Sequence, residues 1–238
     1  MDDNTLLVVF STRKQGDDLV ETTEDITKTV GCNAFVNSVY NPSGASLTYV
    51  YNDALNKFPN YRYVVFMHDD VFPITIGWGR KILEMFKRNP EYGIIGIAGS
   101  KNYEKNGGWW QFKNIYGQVE HKSKDRGSWL TSFSPYFEHD LEEVCVIDGL
   151  FIAIDREKLT HLFSEDIPGF NFYDIDLCLA NFRDKSCKIG VTTQIRFCHS
   201  SMGEVKPEWN QNHELVYEKY KDIIPIINLK ENGEENQA

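Results

Sequence analysis

The stretch Val64–Val71, VVFMHDDV, runs apolar residues straight into His68, Asp69 and Asp70. An unbroken apolar run of this kind is a strand buried on both faces. In an open α/β sheet, ligands bind just outside the carboxyl ends of such strands. Two carboxylates beside an imidazole are donors for a divalent cation, and a cation there points to a phosphorylated substrate. The same residues also suit a turn in which an aspartate caps the following segment, and spacing alone leaves both readings open. Asp174 and Asp176, in FNFYDIDLCL, flank the apolar stripe of the helix they open. One of them is a candidate general base; the alternative is that Asp174 is the N-cap and Asp176 a first-turn carboxylate favoured by the helix dipole. His199, in RFCHSSMG, follows an extended stretch. It is a second imidazole for a transition metal, or a structural hydrogen-bond donor. Asp148-Gly149 interrupts the apolar run VIDGLFIA. Glycine there permits close ligand approach and the aspartate can accept bonds from sugar hydroxyls; a tight turn is the alternative.

The elements that must position these groups follow from periodicity. Leu6–Phe10, Ala34–Tyr40, Arg62–Met67 and Gly93–Ala98 read as strands. Between them, helices are expected over Gly16–Val30, with Gly31 as its C-cap, over Ser46–Phe58 and over Trp78–Arg88. Alternation of strand and helix predicts a mostly parallel, twisted central sheet with helices on both faces. After residue 100 the texture changes. Lys101–Tyr136 is rich in Gly, Ser, Lys and aromatics, and is expected to form long loops with a short hairpin. Trp109, Trp110 and Trp129 lie in it, as stacking platforms for a sugar or as loop anchors. Extended structure returns over Glu143–Ile154 and Lys188–Cys198, with helices over Asp174–Phe182 and Glu208–Tyr220. One domain over residues 1–225 is expected, with a nucleotide-binding half to about residue 100 and an acceptor half sharing its sheet, then a polar tail over 226–238.

Composition narrows the class. The formal net charge of −10 argues against sequence-independent nucleic-acid binding, which relies on Lys and Arg to displace counterions. The start, MDDNTLLVVFSTRK, lacks a basic segment followed by an apolar one, and the five cysteines have no metal or disulfide spacing. A cytoplasmic protein with reduced thiols is expected, with peripheral membrane attachment left open. Gly93, Gly96 and Gly99 do not make a dinucleotide fingerprint, and neither a P-loop nor a G-x-S-x-G elbow is present.

Taken in order, VVFMHDDV at 64–71, SLTYVYNDAL at 46–55, VIDGLFIAI at 146–154, FYDIDLCLA at 172–180 and CHSSMG at 198–203 resemble a small GT-A-fold glycosyltransferase of the family 2-like superfamily. The closer resemblance is to the subgroup whose metal motif reads H-x-D. It covers the chain from about Leu6 to about Tyr220.

The resemblance implies a nucleoside-diphosphate-sugar donor, most often UDP-linked, a glycan or other hydroxyl acceptor, and Mn2+ or Mg2+. Asp70 matches the acid that reaches the metal, His68 stands where the first acid usually is, and Asp69 takes the variable middle position. His199 matches a histidine that completes the metal site. Ser11, Thr12, Asn41 and Asn52 match positions facing the nucleoside, and Asp148 with Gly149 the segment against the donor sugar. Asp174 matches the catalytic acid of the E-D motif, with Tyr173 replacing the Glu; Asp176 stays as the alternative base. A helix N-terminus lowers a carboxyl pKa, so a low value is expected for Asp174. A GT-A domain that binds nucleotide-sugar or glycan without transfer is the second reading. A nucleotidyltransferase is the third, disfavoured by a single Gly in STRKQGDD.

Overall fold

The computed structural model describes residues 4–105, 107–123, 125–201 and 207–227. Met202 and Gly203 of the last motif, and 228–238 of the expected tail, lie outside the described residues.

Its strands are β1 (Thr5–Thr12), β2 (Asn33–Tyr40), β3 (Tyr63–Met67), β4 (Val71–Pro73), β5 (Tyr92–Gly96), β6 (Ala98–Ser100), β7 (Ile115–Ser123), β8 (Gly127–Ser132), β9 (Glu142–Val144), β10 (Val146–Ile147), β11 (Phe151–Asp155), β12 (Lys188–Val191) and β13 (Phe197–His199). Its helices are α1 (Gly16–Thr29), α2 (Leu47–Lys57), α3 (Trp78–Arg88), α4 (Tyr173–Arg183) and α5 (Pro207–Tyr220). No described helix is long and apolar enough to cross a membrane.

A seven-stranded sheet runs β2-β1-β3-β11-β5-β12-β9. β2, β1, β3, β5 and β12 share one direction, while β11 and β9 oppose them, so the sheet is mixed. Its centre is the buried run expected from sequence: Leu6–Phe10 and Val64–Met67 are wholly inaccessible to solvent. Burial on both faces requires cover on both, which the amphipathic helices supply. On α3, Trp78, Ile82, Met85 and Phe86 face inward at helical spacing.

A second sheet of six strands, β10-β6-β7-β13-β4 with β8 on β7, packs beside the first. Five passages that look continuous or merely interrupted in sequence cross between the sheets: β3 to β4, β5 to β6, β9 to β10, β10 to β11 and β12 to β13. The expected long loops after residue 100 are more ordered than anticipated. β7 and β8 form a ladder from Gln118↔Ser132 to Ser123↔Gly127. Only Gly117 and Val119 of this ribbon are buried and its other side chains are half-buried or exposed, so too few apolar positions mark the alternation.

Candidate active site and metal centre

The crossings build the site. At the end of β3 the chain turns through His68, Asp69 and Asp70 and joins the second sheet as β4. β13 pairs antiparallel with β4, setting His199 opposite Val71, and the Ser200 N–H bonds the Asp70 carbonyl at 3.0 Å. The β10–β11 crossing passes alongside: the His68 N–H bonds the Leu150 carbonyl at 3.1 Å. Asp148-Gly149 is therefore a passage between sheets, not a hairpin turn. Residues 80 to 130 positions apart in sequence meet at one corner.

One ligand atom each from His68, Asp70 and His199 lies within 4.8 Å of the others. His199 Nε2 sits 3.4 Å from Asp70 Oδ1 and 3.0 Å from Ser201 Oγ. Burial pushes the Asp70 carboxyl up, but the His199 bond and charge, then His68 and Ser201, outweigh it and hold the group at about 2. Burial drives His68 down, with His199 adding to the effect. A carboxylate that stays charged and, at His68, an imidazole that stays neutral are forms that ligate a cation, whereas Asp70 raises His199 against its burial, so an ion there must displace the His199 proton. Two imidazoles and one carboxylate suit Mn2+ better than Mg2+, which prefers oxygen alone. The donor set thus fits a manganese-type ion.

Beside this corner lies a cavity of about 510 Å³. His68, His199, Asp148, Gly149 and Asp174 line it, with an aromatic wall from Trp109, Trp110, Phe133, Phe172, Tyr173 and Trp209. Trp109 Nε1–H donates to Asp148 Oδ2 at 3.1 Å, and the Leu150 N–H to Asp148 Oδ1 at 2.9 Å. Trp109 is thus an anchor, whereas Trp110 is 42% exposed and faces Trp209 at 6.3 Å between centroids. Trp129 stacks on His121.

α4 starts one residue earlier than expected, with Phe172 as N-cap in the left-handed region (φ 68°). A bulky residue there is strained, and such strain gathers at functional sites. Asp174 is consequently inside the first turn, not the cap. Contrary to the dipole argument, its carboxyl is raised to about 7: burial and then the Asp148 charge overcome the N–H groups of Ile175, Asp174 and Gly149. Asp176 points elsewhere. It is 1% exposed, bonded to Lys219 Nζ at 2.7 Å and Tyr220 Oη at 2.9 Å, and is absent from the cavity wall.

The remaining candidates lie outside the cavity lining. Thr12 Oγ1 donates to Asp69 Oδ2 at 2.6 Å, and Lys14 Nζ bonds the Asp69 carbonyl. Asn41 Nδ2 bonds Ser11 Oγ at 3.1 Å and the Ala45 carbonyl at 2.8 Å, closing the loop after β2. Ser11, Thr12, Asn41 and Asp69 thus cluster at the ends of β1, β2 and β3. Asn52 does not join them: its Nδ2 bonds the Phe163 carbonyl at 2.7 Å. Sequence reasoning missed His121, Phe172 and Trp209 in the wall. Only the aromatic richness of the second half hinted at them.

Solved structures share this fold. GalNAc-T7 with UDP, GalNAc and Mn2+ superposes with a TM-score of 0.59 at 12% identity, over 92% of this chain and 49% of that one. A Drosophila beta-1,4-galactosyltransferase 7 mutant with manganese, UDP-Gal and xylobiose gives 0.51 at 10% identity, over 88% and 79%. This chain therefore spans about half the length of the first and most of the second. The fold is that of the GT-A glycosyltransferases. No curated protein matches in sequence. The family model described as "Glycosyltransferase like family" matches residues 7–220, and the chain belongs to that family.

Proposed function

We propose that this glycosyltransferase moves a sugar from a nucleoside diphosphate, UDP foremost, to a hydroxyl of a glycan or similar acceptor, with inversion at the anomeric carbon. One observation carries the reading: Asp174, with a carboxyl at about 7, shares a cavity wall with His68 and His199. A general base works best when its pKa lies near the operating pH. The UDP and manganese in the two GT-A structures above support the donor class.

In this reading Ser11, Thr12, Asn41 and Asp69 receive the nucleoside at the strand ends. Asp148, with its carboxylate oriented by Trp109 and Leu150, accepts from donor-sugar hydroxyls beside Gly149. His68, Asp70 and His199 would hold Mn2+ or Mg2+. Such an ion, when bound, neutralises the diphosphate as a leaving group. The acceptor lies against the aromatic wall with one hydroxyl towards Asp174. The carboxylate takes that proton as the oxygen attacks the face opposite the diphosphate, and a single displacement inverts configuration.

Asp174→Asn tests the assignment. Donor turnover with an acceptor panel should fall by about 10²–10⁴-fold, the usual weight of general-base catalysis, while UDP-dependent thermal stabilisation persists. Normal turnover in this variant removes Asp174 from the role. Nucleotide binding without turnover in the wild type, across the panel, favours a binding domain instead.

A further inference from the structure

Tyr173, the residue before Asp174, has one hydroxyl proton to give. Two oxygens compete for it: the Tyr51 hydroxyl, which can give a proton as well as take one, and the Gly149 carbonyl 2.9 Å away, which can only accept, so the Tyr173 proton serves the carbonyl. The same Oη lies 2.8 Å from His68 Nε2. With its own proton committed, the tyrosine oxygen accepts, so Nε2 must carry the imidazole proton. A neutral imidazole has a single N–H, which leaves the lone pair on Nδ1.

We infer that Tyr173 is a positioning residue of the metal centre: it locks His68 in the Nε2–H tautomer, so that Nδ1 is the nitrogen offered to a divalent cation. The inference rests on the metal reading given above. Metal-binding histidines are commonly oriented by a bond from the other ring nitrogen to a carboxylate, carbonyl or water. Here a tyrosine hydroxyl takes that place. The hydroxyl is well fixed. Tyr173 is 2% exposed, and its ring packs against Tyr51 and Phe163 at 5.8 and 6.2 Å between centroids. Gly149 makes room for it: a Cβ at that position would run into Tyr173 Oη and come within 3.0 Å of Asp174 Oδ2. The Gly149 carbonyl holds Tyr173 while its N–H favours the Asp174 carboxylate. One peptide segment thus links the orientation of a metal ligand to the base.

Tyr173→Phe keeps the ring and removes the oxygen. Two readouts decide the matter. The ¹⁵N spectrum of metal-free, histidine-labelled protein, with His68 assigned through H68Q, should report Nε2–H in the wild type and a tautomer mixture in Y173F. The Mn2+ dissociation constant in the presence of UDP, read from the free-ion EPR signal, should rise by about 10–100-fold, the usual loss for a ligand-orienting partner. An Nδ1–H tautomer of His68 in the wild type overturns the inference, and so does unchanged Mn2+ affinity in Y173F; either result leaves the metal reading standing. Wild-type protein that binds no Mn2+ with UDP present overturns the metal reading and the inference with it. If Y173F does not fold, the wild-type tautomer alone decides.

Discussion

Asp70 and Asp174 are the same chemical group driven in opposite directions by their neighbours. Burial resists the charge on both, but Asp70 has His199 beside it, whereas Asp174 has the like charge of Asp148. A base must be ionised to accept a proton, so kcat/KM should climb tenfold per pH unit below about 7 and level off above it. A rate profile across pH 5–9 measures this, and a flat profile excludes Asp174. The stability effect has a definite sign. A carboxyl raised in the folded state contributes stability that is fully present below its unfolded value, near 3.8, and is lost as pH rises through about 7. Asp174→Asn removes that loss. Relative to the wild type, its stability should therefore improve between pH 4 and pH 8, by at most about 4 kcal/mol at ~1.4 per unit. Urea denaturation at the two pH values measures it. Asp70→Ala should abolish the metal-dependent part of UDP binding, as measured by titration calorimetry with and without Mn2+.

At the scale of the element, α4 divides its first-turn acids between two tasks. Tyr173 and Asp174 face the cavity, and Asp176 faces α5. That division is invisible in the spelling YDID, because only the position of α5 decides which carboxylate meets a lysine. Lys219→Met would leave the Asp176 charge buried with Tyr220 as its remaining bonded partner. Removing one member of a buried pair costs about 3–5 kcal/mol, and less here because Lys219 is 32% exposed. The expected result is a lower denaturation midpoint with kcat/KM of the folded fraction unchanged. Trp110→Ala should do the reverse: it should raise the acceptor KM several-fold with little change in stability, since its ring is exposed in the cavity wall.

At the scale of the whole molecule, the chain passes repeatedly between two sheets and the candidate site sits at those crossings. The corner is held by backbone bonds between β4 and β13 and between His68 and Leu150, so a ligand that bridges it binds only the folded protein. UDP with Mn2+ should therefore raise the melting temperature, by about 2.7 kcal/mol of stabilisation at a hundredfold excess over Kd, and EDTA should remove most of the gain. Differential scanning fluorimetry checks both arms.

Much of this arrangement was legible in the residues. The apolar runs Leu6–Phe10 and Val64–Met67 marked the central strands, because burial on two faces leaves no alternation to misread. The α3 limits follow from its apolar stripe, and His68, Asp70, Asp148, Asp174 and His199 stood out as polar groups at the ends of greasy segments. Order along the chain could not reveal that β3, β5, β9, β10 and β12 each hand over to a strand of the other sheet, since a crossing breaks the ladder without breaking the hydrophobic pattern. Nor could it reveal the aromatic wall, whose members come from a short turn, a ribbon and two helix starts. The tilt of Asp174 towards neutrality, and the sharing of a hydroxyl between Gly149 and His68, depend on distances of a few ångströms between groups far apart in sequence. Sequence by itself determined which segments are buried and which side chains can do chemistry, because burial and donor type are properties of residues. Tertiary structure alone decided which of those side chains meet, and in which protonation state, because Coulomb and desolvation energies depend on separation and surroundings.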